Sequence, residues 1–396
     1  MIKWEKAKRN QESGMYSIPE TWLFIHYYEA INLLFRIENS LRLFVYSILK
    51  NELKDTWRDV NINSDDSGSG SLEMITRQRL SQSKNFGYLC PPINSPIMFL
   101  TSGELIRIIT AETNWKYFKN HFSCKKEIVK YKLDEIGIIR NSLAHFRPIT
   151  EGDVDLLKQN TLHIFDGIDK YIDELLTVNT FIPTNTEDSW YKKLNTIATT
   201  EEFYTKCFQS TDNSWIKINM NYKCPIIKRP EKLNNWSRIV LLNCKTSPII
   251  TNYENIKKNI TYLTESINAS SYDDNISVTK CSSLIFNKKT LSVEIDSIVS
   301  DIGLIIAKIN DETDKVKSDQ YVKGTFIESV DTYLTKNESP FLQNFDIESK
   351  RLLEKLDENS EIEFWGNYLT PYYNFITDSN IYPWMNKEVS HDPIPF

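Results

Sequence analysis

Through roughly the first 180 residues the hydrophobic positions recur at helical spacing, and beyond them the period changes. In TWLFIHYYEAINLLFRIENSLRLFVYSILKNEL, Leu34, Ile37, Leu41, Phe44 and Ile48 form one stripe. The segment is apolar on more than one face, which predicts a long helix central to a bundle. Ser17-Ile-Pro-Glu20 reads as its capping box. Glu38 and Arg42 lie four apart on one face and are placed to pair. The loop SDDSGSGS follows, and then LCPPINSP, which three prolines keep from being helical. Helical spacing resumes at Thr101 with GELIRIIT and NWKYFKNHF. A further helix runs from about Lys126 to His145, where Pro148 stops it. Thr150-Glu-Gly-Asp153 caps another, and Val154, Leu157, Ile164, Ile168, Ile172 and Leu175 mark its buried face down to about Val178.

Pro183 and the polar run TNTED mark a boundary. Past it, Ile216, Ile218, Met220 and Tyr222 alternate with Lys217, Asn219 and Asn221, a strand pattern. RIVLLNC also reads as a strand, and SLIFNKKTLSVEI as a hairpin. Ile256, Ile260, Leu263 and Ile267 read as a helix, with IESVDTYL and SKRLLEKL as shorter ones. The expected fold is therefore an α-helical bundle over residues 1–182 followed by an α+β domain over 183–396. The aromatic tail, FWGNYLTPYYNF and YPWM, reads as a small core or interface, with a base-stacking platform as the alternative.

Composition adds limits more than direction. With 40% hydrophobic and 25% charged residues the chain is ordinary for a globular protein. A net charge of −6 gives no chain-wide nucleic-acid signature, so such contacts would need a local patch. Six cysteines without C-x-x-C spacing argue against zinc and for reduced thiols. The opening MIKWEKAKRNQESG holds no hydrophobic targeting stretch, and no run approaches the roughly 18 apolar residues of a membrane span. The expected location is the cytoplasm, with no membrane partner.

Candidate chemistry gathers in IGIIRNSLAHFRP, residues 136–148. At about 100° per residue, Val129, Leu133, Ile136, Ile139 and Leu143 form the core-facing stripe. Asn141 and His145 point away from it, one turn apart, and Arg140 lies at its flank. Ile138 shares the outer face, which suggests that a second copy of the chain covers it. From Lys116 to Arg147, eight cations (Lys116, Lys119, Lys125, Lys126, Lys130, Lys132, Arg140, Arg147) stand against Glu127, Asp134 and Glu135. That excess would attract phosphates, with Lys126, Lys130 and Arg147 as candidate RNA contacts. Histidine exchanges protons near neutral pH, and arginine holds a phosphate. With the RNA 2′-hydroxyl as nucleophile, such a pair needs neither metal nor cofactor. The plainer reading is an exposed histidine favoured by the helix C-terminus. The other histidines, at 26, 121, 163 and 391, are isolated.

Arg140-Asn-Ser-Leu-Ala-His145, near the end of a helix in an all-helical region, resembles the R-N-x-x-x-H signature of HEPN domains, helical bundles named for nucleotide binding in higher eukaryotes and prokaryotes. IENSLRLFVYSI resembles the opening helix of that family, and the likeness covers roughly residues 17 to 180. The resemblance implies a metal-independent endoribonuclease, toxin or anti-phage abortive-infection effector, working as a homodimer with both motifs in one cleft. It implies catalytic roles for Arg140 and His145, a helping role for Asn141, and support from Glu38 with Arg42. It leaves tRNA, mRNA and rRNA equally open as targets, and the C-terminal domain as the place for a regulatory partner or phage trigger. Members controlled by nucleotidyltransferase antitoxins commonly carry a tyrosine two residues past the histidine, where this chain has Arg147. Tyrosine-directed adenylylation is therefore not expected. The alternative within the resemblance is a non-catalytic nucleotide- or RNA-binding or dimerisation module.

Overall fold

The computed structural model describes residues 25–62, 70–85, 96–176, 186–197, 199–229, 236–272, 275–319, 323–336 and 345–348, with short pieces at 8–9, 16–17, 178, 183, 351–354, 362–363 and 365–366. The aromatic tail beyond residue 366 lies outside the described residues, as do most of the SDDSGSGS loop and LCPPINSP up to Ser95. The chain is mixed α and β with an N-terminal helical part, and it divides into two compact units between Asp173 and Glu174. No described helix is long and apolar enough to cross a membrane.

The first unit is built around α1, Ile25–Leu53. Two short strands, β1 (Lys8–Arg9) and β2 (Tyr16–Ser17), pair antiparallel ahead of it. Ser17 thus belongs to a strand, and Pro19 and Glu20 of the expected capping box lie outside the described residues. Along α1, Leu41 and every residue from Leu43 to Leu49 are buried, so this stretch of the helix is enclosed on all sides as its pattern predicts. Ser40 and Ser47 survive there because each hydroxyl donates to a carbonyl one turn back, Arg36 O and Leu43 O, both at 2.8 Å. Around α1 come α2 (Leu72–Asn85), α3 (Ser102–Thr110), α4 (Glu112–Phe118), α5 (Lys126–Ala144), α6 (Glu151–Ile164) and α7 (Asp166–Leu176). Capping boxes start α3 at Thr101 with Glu104 and α6 at Thr150 with Asp153. The apolar run read as one helix from Val154 to Val178 is two, broken at Phe165.

A close approach lies just past the break. Gly167, in the first turn of α7, lies against the carbonyl of His121, where a Cβ would sit 2.0 Å from the oxygen. His121 in turn stands edge-on to Phe44 and Tyr171, with ring centroids 5.2 and 4.9 Å away. Burial there pushes the His121 pKa below its usual value.

The second unit contains α8 (Ser189–Leu194), β3 (Phe203–Gln209), β4 (Trp215–Lys223), β5 (Ile226–Lys228), β6 (Trp236–Cys244), α9 (Ser247–Thr251), α10 (Glu254–Asn259), β7 (Ile260–Tyr272), β8 (Asn275–Asn287), α11 (Lys288–Ser318), β9 (Ile327–Lys336), β10 (Phe345–Ile347) and β11 (Trp365–Gly366). Five strands are ordered β11-β7-β8-β4-β3 and four β10-β9-β6-β5. The α11 helix buries Leu291, Ile295, Ile298, Ile302, Ile305 and Ile309 in the shared core.

Several local readings are overturned here, each by a longer-range interaction. Ile260, Leu263 and Ile267 belong to the strand β7, paired along its length with β8, and only Ile256 is helical. Every residue from Ile260 to Glu265 is buried, so both sheet faces are covered and the alternation that marks a strand disappears. SLIFNKKTLSVEI is a strand running into a helix, because the Asn287 side chain accepts from Lys289 N at 3.0 Å and starts α11. IESVDTYL is strand, laddered to β6 from Ile327 to Leu334. Arg351–Glu354 of SKRLLEKL forms no α-helix. RIVLLNC and the alternating segment from Ile216 are strands as expected.

Five described cysteines (124, 207, 224, 244 and 281) are free thiols. Burial raises Cys207 to about 11 and Cys224 to about 12, which disfavours the thiolate that metals and disulfide exchange require. Among the described residues no group of metal-ligating side chains assembles.

Gly167→Ala should lower stability by more than about 2 kcal/mol in chemical denaturation, since the backbone of His121 cannot yield as a side chain would. His121 should contribute an acid-labile term. Its folded pKa lies below its unfolded value, so the unfolded chain binds the extra proton and stability falls as pH drops below about 6.5. His121→Phe should reduce that slope in melting curves taken between pH 7 and pH 5.5.

Candidate functional site

The motif helix α5 follows its predicted faces. Val129, Leu133, Ile136, Ile139 and Leu143 are buried, whereas Asn141 and His145 are exposed and Arg140 is half-buried. The helix ends at Ala144, with His145 as its cap. Beyond it the chain reverses through two backbone bonds, Phe146 N–H to Leu143 O at 3.0 Å and Arg147 N–H to Ser142 O at 2.8 Å. That is the Schellman arrangement, and it requires a left-handed residue, here Phe146 at φ 54°. A bulky side chain in this region costs roughly 1–2 kcal/mol relative to glycine.

One carboxylate organises the buried side of the site. Glu38 of α1 accepts from Arg42 through one oxygen and from Ser102 through the other. The second oxygen also lies 3.4 Å from Nε of Arg140. Arg42 is fully engaged: it donates to Leu100 O from Nε at 3.1 Å and Nη2 at 2.8 Å, and to Asn39 Oδ1 from Nη1 at 2.8 Å. Burial lowers the Arg42 pKa, the charge of Glu38 opposes that, and nearby Arg140 lowers it further. Arg140 is held more loosely. Besides Glu38 it meets, among the described residues, Asn141 Oδ1 at 3.5 Å from Nη1. A second tie from α1 fixes the far end of the turn, where Tyr27 donates its hydroxyl to Arg147 O at 3.2 Å.

The His145 side chain makes no hydrogen bond to a described residue, and neither do the side chains of Lys130 and Arg147, both exposed. Lys126, a predicted RNA contact, is instead paired with Glu112 of α4. Exposed pairs of this kind contribute little and open readily, so Lys126 is diverted rather than removed. Lys132 donates to Asn160 Oδ1 at 3.1 Å.

Helix geometry decides how the key groups relate. Asn141 and His145 differ by four residues and share a face. Arg140 and His145 differ by five, which sets them about 140° apart around the axis and about 7.5 Å along it. Tyr131, Ile138 and His145 recur every seven residues along the outer face. Tyr131 and Ile138 are 67% and 66% exposed, so apolar surface continues up to the histidine.

Ser102, Tyr27 and Phe146 were not singled out from the sequence. Ser102 and Tyr27 act through contacts 64 and 120 residues away, for which local spacing has no signal. Phe146 left a readable one: a helix end followed by a residue other than glycine or asparagine. No protein-family model, curated protein or solved structure matches the chain.

Glu38→Ala should destabilise the protein by about 3 kcal/mol in urea unfolding, because Arg42 would remain buried without its carboxylate. Ser102→Ala, which removes one hydrogen bond to the same group, should cost only about 1 kcal/mol.

Proposed function

We propose that the chain is a metal-independent endoribonuclease of HEPN type, acting as a homodimer on cytoplasmic RNA in the manner of a toxin or anti-phage effector. One observation carries the reading. In an intact R-N-x-x-x-H sequence at an exposed helix end, the arginine is anchored by a carboxylate while the histidine keeps both ring nitrogens free of described partners. An anchored cation suits a fixed phosphate, and an uncommitted imidazole suits proton transfer.

In the proposed reaction the 2′-hydroxyl attacks the adjacent phosphorus. The new 2′-O–P bond forms as the P–O5′ bond breaks. A histidine takes the 2′ proton, and the departing 5′ oxygen is protonated by a second acid. Arg140 neutralises charge developing on the non-bridging oxygens, and Asn141 orients the phosphate or the imidazole one turn above it. The separation of Arg140 and His145 around one helix favours a composite site, in which each phosphate meets groups from two copies. The apolar outer face with Ile138 is the surface by which the copies would meet. Lys130 and Arg147, with Lys126 once released from Glu112, extend the cationic path. The second unit then serves recognition or restraint, as the place for a regulatory partner or trigger.

Purified protein incubated with total RNA in EDTA should yield fragments ending in 2′,3′-cyclic phosphate and 5′-hydroxyl. Fragments with 5′-phosphates, or loss of cutting on chelation, would reject the mechanism. His145→Ala and Arg140→Ala should each slow cleavage by at least about 100-fold, and Asn141→Ala by less. His145→Ala should leave stability within about 0.5 kcal/mol, since the side chain is exposed. Sedimentation should give a dimer that Ile138→Asp converts to a slower-cutting monomer. A monomer with wild-type activity would exclude the composite site.

A further inference from the structure

Phe146 is out of place on two counts. At 92% exposure it is the most exposed large hydrophobic among the described residues. It also occupies the left-handed position of the helix-ending turn, at φ 54°. The two other described non-glycine residues with positive φ are Lys54 and Asn213, a long flexible side chain and a residue type that tolerates the region. No described residue compensates for Phe146. Its ring has no ring partner among the described residues, and the apolar contact that usually accompanies a Schellman turn is missing because the flanking positions are Ser142 and Arg147.

The neighbours indicate a use. Phe146 directly follows His145 and directly precedes Arg147, both exposed, so its Cα lies one step, about 3.8 Å, from the Cα of each. A flat apolar face among phosphate-binding groups is the arrangement with which proteins hold unpaired nucleic-acid bases. The turn itself is fixed by its backbone bonds and by Tyr27 on Arg147 O. The ring is thus presented on a rigid support, with little ordering left to offset on binding.

We propose that Phe146 is the stacking platform for the base next to the cleaved phosphate, and that it directs the site to unpaired RNA. The inference rests on the ribonuclease reading and extends it to substrate class. In a duplex the bases are already stacked on their neighbours, so the ring gains nothing from them. In a loop or single strand one base can leave its neighbours and lie on Phe146, which places its phosphate beside His145.

The test separates strain from stacking. Phe146→Gly, Phe146→Leu and Phe146→Trp are compared with wild type for melting temperature, for binding of an uncleavable 2′-O-methyl single strand and of its duplex, and for cleavage of the single strand. Phe146→Gly should melt higher because glycine accepts the left-handed turn, yet bind the single strand about tenfold or more weakly and cut it correspondingly slower. Phe146→Leu keeps the strain and the apolar surface but has no aromatic face, and should lose affinity as glycine does. Phe146→Trp should retain both affinity and cleavage. Duplex binding should be unchanged throughout. The proposal is overturned if the glycine or leucine variant binds and cuts like wild type. It is equally overturned if Phe146→Gly turns a dimer into a monomer, for the ring would then serve a second copy of the chain. A wild-type protein that neither binds nor cuts RNA would remove the ribonuclease reading and this inference together. An active wild type with indifferent Phe146 variants would remove this inference alone.

Discussion

The shared carboxylate of Glu38 is the interaction on which the candidate site depends. Two arginines, 42 and 140, approach it from different helices, and Ser102 donates to it from a third. Without the acid, two guanidinium groups would face each other in a poorly solvated space, where like charges repel more strongly than in water. With it, Arg42 becomes a structural cation locked onto Leu100 O and Asn39, while Arg140 is steadied at one edge by Glu38 and meets Asn141 with Nη1. The long α1 is what makes this possible. Its buried stretch from Leu43 to Leu49 anchors the helix and with it Glu38, and its Tyr27 holds the turn after His145. One helix therefore sets both ends of the motif carried by another.

A buried polar network of the second unit contrasts with the exposed end of α5. In the second unit Lys280 is almost wholly buried, yet it meets Glu265 at 3.0 Å and Leu352 O at 2.6 Å. Glu265 also accepts from Thr246 at 2.8 Å and from Glu354 N at 2.7 Å. A network so fully paired specifies a fold and leaves little for a ligand. In the first unit the exposed groups at the end of α5 are underused: an imidazole, a guanidinium and a phenyl ring with few partners among the described residues. Groups that return little to the fold are those for which a role in binding or chemistry has to be sought.

The fold was legible wherever a pattern depended on one face and one cap. The stripe of α5, the Thr150–Asp153 capping box and the all-round burial of α1 follow directly from residue spacing. The reading failed at β7 and β9, where 3–4 spacing of apolar residues mimics a helix. There the strands are chosen by partners such as β8 and β6, and ladder bonds outweigh a weak local preference. It failed also at Asn287, where one capping side chain turns a supposed hairpin into the start of α11.

For the candidate site the division is similar. The sequence by itself determined that Arg140, Asn141 and His145 stand near a helix end, that Asn141 and His145 share its outer face, and that Glu38 and Arg42 are within reach of each other, because all of these follow from a 3.6-residue period. Only the tertiary structure decided that Glu38 is shared with Arg140 and Ser102, that Lys126 is diverted to Glu112, and that Phe146 is turned into solvent. The first two depend on how separate helices approach one another, and no local spacing encodes that distance. The third is a backbone dihedral imposed by the closing bonds of a helix, against the preference of the residue that bears it.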